Sequence, residues 1–143
     1  MYATLETHAD RLIVTLSEEH RDGSHTVLHD VAGPAGGTTP VAAQVLYFDG
    51  PATDDAFAAA DFAYRERIAP AFRAAPGAVR SLVLFDPARR ATVVVSTAVD
   101  PAALEAVGRV IGGQELLPGE DVALLPGPDR VAFHPEAHVV DSS

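Results

Sequence analysis

Apolar and polar positions alternate loosely through the first part of the chain. "RLIVTL" (residues 11–16) and "HTVLHDV" (25–31) are rich in β-branched residues and predict strands. "RDGS" lies between them, and its Asp22-Gly23 pair is a turn signal, so the two runs are expected to pair as a hairpin. Residues 2–7 form a candidate third strand. Leu5, Ala9, Leu12, Ile13 and Leu16 also fall at helical spacing, but the β-branched run and the placement of the turn favour the hairpin. "GPAGGTTP" (33–40) is a linker by composition.

The pattern changes from residue 41. "VAAQVLYFDG" predicts a buried strand ending in a turn. Thr53 or Asp54 can cap a helix whose apolar stripe is Phe57, Ala60, Tyr64, Ile68 and Phe72. Pro70 falls inside that helix and is expected to bend it, and Gly77 supplies a left-handed stop. "VRSLVLFD" and "ATVVVSTA" predict two strands joined by the tight turn "PARR". Asp100-Pro101 opens a second helix with Leu104, Val107 and Ile111 on one face. A turn-rich connection leads to a last strand, "RVAFHPEAHVV", interrupted by Pro135, which marks an edge or a bulge.

The order from residue 41 is strand, helix, strand, strand, helix, strand. The expected fold class is therefore α+β: a ferredoxin-like βαββαβ sheet with an N-terminal β-hairpin extension. Residues 1–40 are the extension and linker, and residues 41–143 the domain. Two helices cover one face of such a sheet. The other face needs cover, either from the sheet of a second copy or from the N-terminal hairpin.

The stretch "DFAYRERIAPAFRAAPGAVRSLVLFDPARRATVVVSTAVDPAALEAVG" resembles the dimeric α/β-barrel superfamily, and within it the antibiotic-biosynthesis-monooxygenase group. The resemblance is carried by Pro70 in the first helix, the Pro76-Gly77 turn, a strand ending at Asp86, and Asp100-Pro101 at the second helix. It covers roughly residues 41–111. It implies a homodimer whose helix and sheet faces enclose a ligand cavity. Members include cofactor-free oxygenases, haem-degrading enzymes and isomerases. The quinone-forming and haem-degrading members use Trp and Asn in their sites. This chain has neither, so no catalytic residue is carried over.

Composition narrows the partners. Twenty acidic residues against ten basic ones give a net charge of −10. Nucleic acid and anionic membrane surfaces both need a basic footprint, so neither is an expected partner. Absence of cysteine excludes a disulfide, a thiolate nucleophile and a cysteine metal site. The first residues, "MYATLETHADR", lack the basic and apolar regions of a signal peptide, which points to the cytoplasm.

Candidate chemistry is sparse. "HPEAH" places His134, Glu136 and His138 on one strand face by alternation, with Val131, Phe133, Ala137 and Val139 on the other as the core side. This set can hold zinc or iron, but a solvated polar face explains it more simply. His25 and His29 stand about 13 Å apart at strand rise, too far for one ion. No metal and no cofactor is expected. Tyr47 on a strand and Tyr64 on the helix stripe are candidate donors to a small-molecule substrate, because a buried phenol needs a partner. Arg65 in "YRER" is a third substrate-binding candidate, for an anionic group, although such a run is more often a solvated helix face. No serine sits in a nucleophile elbow, and "GPAGG" matches no phosphate or dinucleotide loop.

Two function classes follow. One is a cofactor-free monooxygenase acting on an aromatic or polyketide-like substrate. Its catalytic base would be His134 turned inward, with Tyr47 and Tyr64 stabilising the anion formed. The other is a non-catalytic ligand-binding or assembly module. An open cavity with polar groups favours the first. A space closed by Phe57, Phe72, Leu82 and Leu84 favours the second.

Overall fold

The computed structural model describes residues 1–141. Within them, eight strands form one mixed sheet, accompanied by three α-helices, the first two of which run on through a π-helical turn as one bent helix. In chain order the strands are β1 (Tyr2–His8), β2 (Arg11–Ser17), β3 (His25–Ala32), β4 (Ala42–Phe48), β5 (Ala78–Asp86), β6 (Ala91–Ala98), β7 (Arg130–His134) and β8 (Glu136–Asp141). Their order in the sheet is β7-β4-β6-β5-β3-β1-β2-β8. Only Pro135 separates β7 from β8, yet β7 pairs with β4 and β8 pairs with β2. The two ends of that order are thus one stretch of chain, and the sheet curls round into a closed barrel.

The core follows from this closure. Residues from every strand meet in one cluster, including Ala3, Leu12, Val14, Leu16, Val27, Val45, Leu82, Leu84, Val93, Val95, Ala132 and Ala137. Side chains alternate along a strand, so each strand sends every second residue inward. The interior of a barrel this narrow is filled by side chains.

The expected ferredoxin-like βαββαβ sheet with a hairpin extension is corrected on this point. The strands assigned from residue 41 lie together as β7-β4-β6-β5, but they are only part of an eight-stranded mixed sheet. Strand β3 pairs with β5 and carries the sheet on through β1 and β2. The expected hairpin between residues 11–16 and 25–31 does not form. Instead β1 and β2 make the hairpin through a two-residue turn at Ala9 and Asp10, with Ala9 at φ 55°. β3 joins the other side of β1. The dimeric α/β-barrel description falls with this, because the sheet face it assigns to a second copy is covered here by the chain's own first three strands.

Helices α1 (Asp54–Ala63) and α2 (Ala69–Arg73) are joined by a π-helical turn, Tyr64–Ile68. Thr53 caps the start, its hydroxyl accepting from the Ala56 amide at 3.1 Å. Pro70 is solvent-exposed, and the extra residue of the π-turn absorbs it: the Ala69 amide reaches back five residues to the Tyr64 carbonyl. The inserted residue also rotates the buried stripe. Tyr64, Ala69 and Phe72 pack on the outside of the sheet against Val31, Val83 and Val107, whereas Ala60 is exposed. Helix α3 (Pro101–Gly112) is capped by Asp100 and buries Leu104 and Val107. No helix among the described residues is long and apolar enough to cross a membrane.

Candidate functional site

Polar residues gather at one end of the barrel. Arg80 continues the inward series Leu84, Leu82 to the start of β5, and it lies opposite Thr97 on β6. Thr97 lies opposite Ala43 on β4, and Ala43 opposite His134 on β7. Asp30 faces the inward Leu82 from β3, and Asp141 faces the inward Leu16 from β8. Arg80, Asp30, Asp141, Thr97 and His134 therefore belong to the inward face near one rim.

The rim is roofed by residues 33–40, the segment read as a mere linker. Backbone bonds tie it to the start of β5: the Gly33 amide donates to Val79 O at 3.0 Å and the Ala35 amide to Ala78 O at 2.9 Å. Gly33 is required there, because any Cβ would run into the Ala78 carbonyl. Beside this strap lies an open cavity of about 300 Å³, lined by residues 36–40, Val79, Arg80, His138, Val139 and Val140.

Arg80 is the fixed charge of the cavity. Its Nε donates to Asp30 Oδ1 at 2.8 Å and its Nη2 to Asp30 Oδ2 at 2.6 Å, a two-pronged grip. Those bonds raise the guanidinium's pKa. Its Nη1 stands 3.7 Å from Asp141 Oδ2, an ion pair longer than a hydrogen bond. His138 stands 3.7 Å from Glu136, both largely in solvent. Thr38 and Thr39 bond no other described residue through their hydroxyls.

His134 is buried, 6% exposed, and both ring nitrogens lack a hydrogen-bond partner among the described residues. It does turn inward. However, "HPEAH" does not share one face. The inward residues are Ala132 and His134 before Pro135, then Ala137 and Val139 after it. Proline interrupts the alternation, so Glu136 and His138 point outward, while Val131 and Phe133 are 56% and 53% exposed rather than core. Among the described residues, no group of three or more His, Asp or Glu could hold a metal ion.

The tyrosines are not brought together. Tyr47 packs against the barrel interior toward the far rim, four residues along β4 from Ala43, with the Arg130 guanidinium 4.2 Å from its ring centre. Tyr64 lies on the outer, helix-facing side of the sheet, where its hydroxyl donates to Ser81 Oγ at 2.7 Å. Burial raises its pKa, with the Ser81 bond opposing. Arg65 is not free for an anion: its Nε donates to Asp61 at 2.9 Å and its Nη1 to Glu66 at 3.1 Å. His29, which stacks on Tyr64, holds the other oxygen of Asp61 at 2.6 Å. Burial pushes the Asp61 pKa up, but these two partners outweigh it and leave the carboxyl below its ordinary value.

Arg80, Asp30, Thr38, Thr39 and Asp141 were missed in the sequence. One signal was present: a lone arginine inside "AVRSLVL", a run of otherwise buried strand positions, asks for a partner. No protein-family model, curated protein or solved structure matches the chain.

Proposed function

We propose that this protein is a non-catalytic small-molecule-binding module whose ligand occupies the open rim of the barrel under residues 33–40. A cytoplasmic setting belongs to the same proposal. The cavity carries the reading: about 300 Å³, open to solvent, with Val79, Val139 and Val140 on one part of its wall and Arg80, Thr38 and Thr39 on the rest. A few placed polar groups in an apolar concavity are what a ligand site needs. The monooxygenase reading needs a dry enclosed space between helix and sheet. Phe72 at 1% and Tyr64 at 5% exposure fill that space, and Leu82 and Leu84 fill the barrel behind it. That packing supports the binding reading over the catalytic one.

The test is an amide NMR titration with two aromatic probes, neutral benzyl alcohol and anionic benzoate. Signals of Thr38, Thr39 and His138 are expected to move in a saturable way with at least one probe. Shifts confined to the residues around Tyr64 and Phe72, or no shifts, would reject the rim as the binding site.

A further inference from the structure

The rim also indicates the chemistry of its ligand, an inference that rests on the proposed function above. We propose that the rim binds a small carboxylate, which takes the outer edge of the Arg80 guanidinium by displacing Asp141.

Arg80 presents two unequal edges. One is locked by Asp30 through two short hydrogen bonds, which fixes the plane of the guanidinium. The other carries Nη1, and its neighbour there is the Asp141 carboxylate at 3.7 Å. A guanidinium edge matches the two oxygens of a carboxylate, so this second edge is under-used. Asp141 is the last residue of β8 and its side chain is 60% exposed. Such an exposed pair is weakly held, contributing from nothing to about 1 kcal/mol. It can yield to a carboxylate that also gains apolar contact with Val79, Val139 and Val140 and accepts from the hydroxyls of Thr38 and Thr39. Asp141 is thus an internal stand-in for the ligand's own carboxylate.

The nearby charges explain why the stand-in matters. Asp30 and Asp141 flank the one arginine from two sides. An incoming anion meets repulsion unless Asp141 swings away. Neutralising Asp141 removes both the competitor and the repulsion.

Affinities of benzoate and benzyl alcohol are to be measured by NMR titration for the unmodified protein, Asp141→Asn and Arg80→Lys. Benzoate is expected to bind Asp141→Asn about fivefold more tightly than the unmodified protein, the upper end of an exposed ion pair. Benzyl alcohol is expected to bind both alike. Arg80→Lys keeps the charge but loses the two-pronged edge, and is expected to bind benzoate more weakly. If Arg80→Lys fails to fold, the Asp141→Asn comparison decides alone. Equal benzoate affinity with and without Asp141, or an equal gain for benzyl alcohol, overturns the carboxylate proposal while the rim remains a site. No movement of the Thr38, Thr39 and His138 signals with either probe removes the site and the proposal together.

Discussion

His134 stands inside the barrel with Ala132 and Ala137 as neighbouring inward residues, and neither ring nitrogen is bonded to any other described residue. A buried polar group without a partner costs about 1–3 kcal/mol. Replacing it with an apolar side chain of similar size removes that cost. His134→Leu is expected to raise stability by about 1 kcal/mol, read as a higher urea midpoint with an unchanged slope. A fall in midpoint would show that the imidazole has a partner when the protein is in solution, such as an enclosed water. The sequence named this histidine but not its surroundings. Pro135 moves the inward series by one position, and no alternation rule places that shift without knowing which neighbour each half of the strand meets.

At the scale of elements, the connection after α3 is fastened by one acid. Glu120 has a side chain 1% exposed, accepts from Arg67 Nε at 2.8 Å and Nη2 at 3.2 Å, and accepts from the Leu117 amide at 2.7 Å. The Arg67 bonds, then the amide, hold its pKa below the usual carboxyl value, with burial opposing. A depressed carboxyl stabilises the fold above the unfolded-state value, about 4.3, and that contribution is lost as pH falls through the lower folded value. Glu120→Gln is expected to lower the melting temperature at pH 7 and to narrow the gap from the unmodified protein at pH 3. A gap that stays constant with pH would mean the charge plays no part. Elements such as this helix pair were legible because Thr53 and Asp100 are strong local caps. The Arg67–Glu120 pair was not, since 53 residues separate its members and only the folded connection brings them together.

For the molecule as a whole, the inward face is filled by the chain's own strands, so a second copy has no unfilled sheet to cover. Light scattering at micromolar concentration is expected to give 14.9 kDa. A mass near twice that would place an interface elsewhere, with the exposed Val131 and Phe133 of β7 the first residues to change. Strand lengths and several turns could be read from the sequence. The sheet order could not, because the local signal at Asp22-Gly23 suggested a hairpin, whereas β3 pairs with β5, some fifty residues away, and β8 with β2, more than a hundred away.

That last pairing carries a consequence for how the protein is made. Residues 136–141 follow every other strand in the chain, so during synthesis the β1–β2 hairpin is complete long before its parallel neighbour exists. Until the ribosome has delivered those residues, the outer border of "RLIVTL" is an open template for any other extended chain. The window closes when β8 arrives. Crowded, rapid expression should therefore yield more aggregate than the stability of the finished barrel would lead one to expect, and slowing initiation, by giving each nascent chain fewer neighbours, should recover it.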